Sequence, residues 1–350
     1  MQITTLPTPS HEEVLRVSDV ATGLVGFIAI HSTQLGPAAG GLRMKPYASE
    51  EAALTDALRL SHGMTFKNAA AGLPLGGGKA VIMGDPAVLK SEALLAGFAG
   101  AIAALKGRYW TAEDMGMSPT DMAVIARGTE FVAGLPDGDF ASGDPSPITA
   151  RGIFNAIRCT ARHRFGSGDL TGRKVAVQGL GHVGWYLAEM LHDAGASLIV
   201  ADIDPARCDR AAQVFGAALA PVDKILQVEA DILAPCAIGG ILNADTIPAL
   251  RVQAVAGGAN NQLATPADGE ALHKRGILYA PDYVANAGGI INVATEILKI
   301  RDRERFVADK LAEAEATLDA ILTQAATRGL APHKVADDIV LSRMQQRPAA

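Results

Sequence analysis

Lys67, Lys79 and Asp114 are the residues of this chain best suited to chemistry on a small charged substrate. A protonated lysine can hold a carboxylate, a desolvated lysine can take up and release a proton, and a carboxylate can hold an amino group. Lys67 closes a helix-like stretch at 53–65, where a cation at a helix C-terminus is also favoured by the dipole alone. Lys79 follows Gly76, Gly77 and Gly78, which read as a glycine-lined turn delivering it to a buried strand at 80–83, where desolvation disfavours the ammonium. Lysines at strand ends are more often solvated, and this run fails as a phosphate-binding loop because Leu73 and Ala80 stand where glycine and serine or threonine are required. Asp114 ends the run from Trp110 through Glu113, with a loop or capping role as its plain alternative and Glu113 as its rival. Two lysines and a carboxylate ahead of a dinucleotide motif point to redox chemistry on an amino acid.

That motif is Gly179, Leu180, Gly181, His182, Val183 and Gly184, between an apolar strand at 175–177 and a helix at 185–194. Gly179 permits the tight turn, Gly181 lets backbone N–H groups approach a pyrophosphate, and Gly184 lets helix and strand pack closely. A second strand at 197–201 ends at Asp202, whose carboxylate is placed for the adenosine ribose hydroxyls and repels a 2′-phosphate, favouring NAD over NADP. His182 reads as a contact beside the pyrophosphate rather than a proton shuttle.

The elements that must position these residues alternate between strand and helix periodicities. In the first half, 24–30, 41–44, 79–83 and 109–112 read as strands, and 50–60 and 94–105 as helices. A dense run of turn formers at 135–147 marks a boundary, so residues 1–145 form a first α/β domain. A linking helix at 148–164 and further strands at 199–201, 231–233 and 252–256 give a doubly wound second domain over 146–329. Helices at 301–328 and 331–344 end the chain.

With 350 residues, 49% of them hydrophobic and 19% charged, the chain fills two cores. A net charge of −6 without basic clusters leaves no footprint for nucleic acid, and no apolar run reaches membrane-spanning length. Cys159, Cys208 and Cys236 have neither disulfide nor zinc-site spacing, so no metal is expected, and a reducing cytoplasm fits best.

The motifs GGLRM at 40–44, GMTFK at 63–67, LPLGGGKAVI at 73–82, TAEDMG at 111–116, GLGHVG at 179–184, GGANNQL at 257–263 and NAGGIINVA at 286–294 closely resemble the leucine, valine and phenylalanine dehydrogenases. The resemblance spans nearly the whole chain. It implies an N-terminal domain for substrate and oligomer contacts, a Rossmann domain for NAD, a cleft between them, and C-terminal helices at about 330–350 that return to the first domain. It also implies a homo-oligomer. By residue, Lys67 with the backbone of Gly40 and Gly41 holds the substrate carboxylate, Lys79 activates water, and Asp114 holds the amino group and moves protons. Asn261 lies beside the substrate and Asn260 beside the cofactor, while Ala39, Ala112, Ile290 and Val293 line the side-chain pocket.

The implied reaction is reversible NAD-dependent deamination of branched-chain L-amino acids to 2-oxo acids and ammonia. Phenylalanine dehydrogenase activity and an inactive NAD-binding regulator are the alternatives. Two departures stand out: Ala39 replaces the leucine usual in leucine-preferring members, which opens the chain-length preference, and Asp144 replaces an asparagine near the hinge.

Overall fold

Seven strands form the first sheet of the computed structural model, which describes residues 1–346: β1 (Gln2–Thr5), β2 (Glu13–Asp19), β3 (Leu24–Ser32), β4 (Ala38–Ala39), β5 (Leu42–Lys45), β6 (Gly76–Met83) and β7 (Tyr109–Trp110). Their order is β1-β2-β3-β6-β4-β7, with β5 also beside β6. The helices of this part are α1 (Glu50–Ala70), α2 (Pro86–Leu89), α3 (Glu92–Ala104) and α4 (Pro119–Ala126). Strand alternation divides the sheet's two faces. Ala80 and Ile82 join the core formed with α3 and α4, whereas Val81 packs with Ala53 and Ala57 of α1. Lys79 shares the α1-facing parity of Val81.

The three glycines before Lys79 lie inside β6 rather than in the turn expected from their composition. A Cβ on Gly77 would sit 2.2 Å from the backbone nitrogen of Thr65 in α1, and one on Gly78 would meet the Tyr109 ring at 2.6 Å. Close contact on both faces, with helix backbone on one and an aromatic ring on the other, is what requires glycine here, not chain reversal. Helix α1 joins the expected stretches at 50–60 and 53–65 and runs on to Ala70. Ser49 caps its start by accepting from the Ala52 N–H, and at its other end Arg343 donates to the carbonyls of Ala69 and Ala70 at 3.0 and 2.9 Å.

The second sheet is wholly parallel: β8 (Lys174–Gln178), β9 (Ser197–Ala201), β10 (Ala218–Leu219), β11 (Ile232–Pro235), β12 (Ala254–Val255) and β13 (Leu278–Tyr279), in the order β10-β9-β8-β11-β12-β13. Counted from β8, this is the 3-2-1-4-5-6 order of a Rossmann fold. Its helices are α5 (Ser146–Phe165), α6 (His182–Asp193), α7 (Pro205–Phe215), α8 (Pro266–Lys274) and α9 (Asp282–Ala285), followed by α10 (Gly288–Ile297), α11 (Arg303–Arg328) and α12 (Pro332–Gln346). No helix among the described residues is long and apolar enough to cross a membrane.

The chain divides into two compact units. The first comprises Met1–Asp144, Ile290–Val307 and the described residues from Ser342, and the second comprises Pro145–Gly289 and Ala308–Leu341. Residues 290–307 therefore group with the first unit although they were expected in the second domain, and 330–341 stay with the second. The reason lies in α10. Glu296, 7% exposed, accepts from the backbone N–H groups of Gly134, Leu135 and Ser142 at 2.8, 3.3 and 3.2 Å. Asn292 donates to the Ser142 carbonyl, and Arg303 donates to Ala141 O, Ser142 O and Asn292 Oδ1.

Glu296→Ala removes the acceptor of three N–H groups in one step. Each donor left buried costs about 1–3 kcal/mol, so the expected loss in urea unfolding is about 3 kcal/mol or more. A loss below about 1 kcal/mol would mean that water replaces the carboxylate.

Three imidazoles meet edge to face, His31 of β3 lying 5.0 Å from His11 and 4.7 Å from His62 of α1. Burial, then the neighbouring His62 and His11, lowers His31 from 6.5 to about 4. The unfolded chain therefore binds a proton that the folded chain refuses in this window, so the stabilisation is fully present above about pH 6.5 and is lost as pH falls toward 4. We expect the urea midpoint of the wild-type protein to fall more steeply over that window than that of His31→Gln. Parallel pH dependences in the two proteins would exclude the His31 contribution.

Candidate active site

Lys79 and Asp114 meet in the first unit, the ammonium donating directly to Asp114 Oδ2. Lys79 is held by β6 and is 5% exposed, while Asp114 follows β7 in a segment that pairs with β5 through the Leu42–Glu113 bridge. The Met115 N–H reaches Asp114 Oδ1 at 2.6 Å, and Arg43 of β5 reaches the two carboxylate oxygens at 3.5 and 3.3 Å. Burial alone would raise the Asp114 carboxyl. The Lys79 ammonium, the Arg43 guanidinium and the Met115 N–H outweigh it and hold the group well below the usual carboxylate range. Glu113, the rival on sequence grounds, makes the backbone bridge to β5, and its neighbour makes the ion pair.

Gly40 and Gly41 interrupt what would otherwise be one strand, β4 and β5 lying end to end beside β6. A Cβ on Gly40 would strike the Gly78 carbonyl at 1.9 Å, and one on Gly41 would lie 2.9 Å from the Asp114 Cβ. The backbone of Gly41 thus borders the ion pair. The Gly40 N–H is engaged by the Trp110 carbonyl at 3.2 Å, and its own carbonyl accepts from the buried Tyr109 hydroxyl at 2.7 Å. Lys67 sits in the last turn of α1, whose following residue Asn68 donates to the Gly76 carbonyl at 2.5 Å. Among the residues expected around a side-chain pocket, Ala39 is fully buried, and Ala112, Ile290 and Val293 are 7%, 8% and 8% exposed. Ile290 and Val293 belong to α10, which Glu296 and Asn292 fasten to the first unit.

In the second unit the glycine motif forms the turn from β8 into α6. Gly179 has φ +95°, and a Cβ on Gly184 would lie 2.0 Å from the Gly179 carbonyl. A Cβ on Gly181, by contrast, meets nothing within 4 Å, and α6 begins at His182 with no side-chain cap. Open space before uncapped N–H groups fits a pyrophosphate. His182 and Val183 open that helix. Asp202 follows β9, its side chain 6% exposed, and accepts from the Leu180 and Asp204 N–H groups at 2.6 and 2.8 Å. Arg207 stands 3.9 Å from Oδ1, beyond hydrogen-bond distance, so one hydrogen bond per oxygen leaves each with further acceptor capacity, as a ribose diol requires.

Asn260 and Asn261 lie in a loop after β12, Asn261 at φ +51°. Asn286 secures it by donating to Gly258 O and Asn260 Oδ1 at 3.1 and 2.9 Å, and Gln262 donates to the Gly257 and Ala259 carbonyls. Asn286, Gln262, Arg43 and Glu296 were not singled out from the sequence. The first three stand inside the motifs quoted above, which is the signal that marks them, whereas Glu296 lies just beyond one. Cys159, His163 and Asp319 form the one cluster of metal-ligand type among the described residues. Arg162 already donates to Asp319 at 3.1 Å, and burial pushes the Cys159 thiol up to about 12, so the group reads as an interhelical ion pair.

Residues 11–131 match the family model for the Glu/Leu/Phe/Val dehydrogenase dimerisation domain, and residues 142–339 match that for glutamate/leucine/phenylalanine/valine dehydrogenase. A leucine dehydrogenase of Thermoactinomyces intermedius is 52% identical over 84% of this chain and 80% of its own length. A valine dehydrogenase of Streptomyces virginiae is 46% identical over 95% of this chain and 94% of its own. Among solved structures, the L-tryptophan dehydrogenase of Nostoc punctiforme superposes with a TM-score of 0.83 at 41% identity, covering 97% of both chains. With a Rossmann sheet in one unit and a buried lysine–aspartate pair in the other, this chain belongs to the Glu/Leu/Phe/Val dehydrogenase family and is an amino-acid dehydrogenase.

Proposed function

We propose that this enzyme catalyses the reversible NAD-dependent oxidative deamination of branched-chain L-amino acids, namely leucine, valine and isoleucine, to 2-oxo acids and ammonia. The observation that carries this reading is the buried Lys79–Asp114 pair bordered by the Gly41 backbone, in a chain about half identical to leucine dehydrogenases over most of its length. NAD, when bound at the glycine turn, supplies the hydride acceptor. Gly179, Gly181, His182, Val183 and Gly184 hold its pyrophosphate, Asp202 its adenosine ribose, and Asn260 its nicotinamide end.

Lys67 and the Gly41 N–H hold the substrate carboxylate, since the Gly40 N–H is already committed to Trp110. That anchorage orients the α-carbon, a positioning contribution. Asp114, an ionised acceptor, holds the amino group, and Asn261 is proposed as a further substrate contact. Once the α-carbon is oxidised, the imine must add water and lose ammonia. Lys79 first passes its ammonium proton to Asp114 and, as the free amine, takes one from the attacking water, while Asp114 hands the proton it received to the departing nitrogen.

The side-chain pocket comprises Ala39, Ala112, Ile290 and Val293. A second reading, activity on aromatic amino acids, is favoured by Ala39, which is shorter than the leucine expected there, and by the 41% identity to a tryptophan dehydrogenase over nearly the whole chain. The first unit, matched by a domain described as a dimerisation domain, is proposed to assemble the homo-oligomer. Three free cysteines suit a reducing cytoplasm.

NADH absorbance against a panel of L-amino acids, with NAD or NADP, tests this directly. Formation is expected with branched-chain substrates and NAD, and a preference for NADP would show that Asp202 has another role. Lys79→Ala should lose turnover by at least about a hundredfold while still binding NAD, because proton transfer typically contributes 10²–10⁴. Lys67→Ala should raise KM as well, and an unchanged KM would remove its carboxylate role.

Ala39→Leu adds three heavy atoms to the proposed pocket wall. It should lower kcat/KM for phenylalanine at least about tenfold more than for valine, since one methylene in such a pocket is worth about 1–3 kcal/mol. Equal losses would show that Ala39 does not face the substrate side chain.

A further inference from the structure

Arg43 lies one strand away from Lys79 and is 13% exposed. Its guanidinium spans two carboxylates: one terminal nitrogen reaches Asp56 Oδ2 at 3.1 Å, the other reaches Asp114 Oδ2 at 3.3 Å and Oδ1 at 3.5 Å, and the Nε–H is buried without a protein partner. Asp56, on α1, also accepts from the Tyr47 hydroxyl at 2.8 Å and pairs with Lys45 at 3.6 Å. Charges thus alternate from Lys79 through Asp114 and Arg43 to Asp56. Nothing in the proposed reaction requires Arg43 to touch substrate.

A fixed cation beside an ionisable pair makes loss of a proton easier whichever member gives it up, and a fixed anion makes it harder. We propose that Arg43 is a positioning residue whose charge, balanced by Asp56, sets the proton affinity of the Lys79–Asp114 pair. This rests on the reading of that pair as the proton-transfer machinery. The groups facing Asp114 are Lys79 from β6, Arg43 from β5 and the Met115 N–H, with Tyr109 of β7 near it. On the far side of Arg43 stand Asp56 of α1 and, paired with it, Tyr47 and Lys45. Removing Arg43 or Asp56 leaves every proposed substrate contact in place. Burial opposes charge on Asp114, and Arg43 is second only to Lys79 among the groups that overcome it.

The test is the pH profile of kcat/KM, measured by NADH formation from leucine, for the wild-type enzyme and three variants. Arg43→Gln removes the cation and should move the acid limb upward by about one pH unit or more, the size expected for a charge at this distance. Asp56→Asn removes the balancing anion and should move it downward by less, because Asp56 acts from the far side of Arg43. Arg43→Lys keeps the charge while losing the two-pronged geometry, so the limb should stay near that of wild type even if kcat falls.

Opposite shifts for the Arg43 and Asp56 variants, with the Arg43→Lys limb restored, support the assignment. A purely structural role would lower the rate of all three without moving the limb, or move it in one direction, and either result overturns the proposal. Should Arg43→Gln fail to fold, Asp56→Asn and Arg43→Lys still decide: an unmoved or upward-moving limb in Asp56→Asn is fatal. A wild-type protein that forms no NADH from leucine or any other L-amino acid would instead remove the underlying reading along with this inference.

Discussion

The site depends on backbone contact between α1 and the middle strand of the first sheet. At Gly77 even one methyl group would overlap the Thr65 backbone, so α1 rests directly on the sheet at the point where β6 turns from glycine to Lys79. Glycine in a strand interior is normally a weakness, since it loses more chain entropy and packs nothing. The contact offsets that by letting a helix end come close enough for Asn68 to donate to the Gly76 carbonyl and for Arg343 to cover the carbonyls of Ala69 and Ala70. The turn carrying Lys67 is thereby fixed from two sides.

Close packing creates an electrostatic demand of its own. A lysine only 5% exposed is costly unless paired, and its partner Asp114 is itself partly withdrawn from water. Arg43 and Asp56 continue the alternation outward until Lys45 and Tyr47 reach more solvated ground. The second unit solves its problem differently. There the turn at Gly181 is left open, and Asp202, tied back by two backbone N–H groups, keeps acceptor capacity for a ligand.

Legibility in the sequence followed locality. The strand–turn–helix at 174–193 and Asp202 were readable because all the required geometry is within one βαβ unit. Lys79 and Asp114 were recognisable as chemistry-bearing, and motif resemblance marked them as partners, but their direct ion pair depends on strands far apart in sequence. The three glycines were misread as a turn because composition cannot distinguish a glycine that reverses the chain from one pressed against a helix. Strands β1 and β2 were not read at all: β1 is exposed throughout and its four residues show no alternation of burial. Glu296 is not legible because its partners are backbone N–H groups 154–162 residues earlier, and no side-chain pattern records such a bond.

That carboxylate also explains why sequence order is a poor guide to which unit a pocket residue belongs to. Ile290 and Val293 come after the last strand of the Rossmann sheet and the short helix α9, yet their helix is fastened to the first unit at Glu296 and Asn292. Glu296 accepts from three backbone amides. The nearby Arg303 donates to carbonyls and to Asn292 rather than to Glu296 among the hydrogen bonds that define this corner. Amide donors are fixed by the chain and lose no rotamer freedom on forming the contact, whereas an arginine partner would. The bonds therefore specify one register of α10 against residues 134–142, and Val293 and Ile290, about one and two turns earlier on the same helix, inherit it.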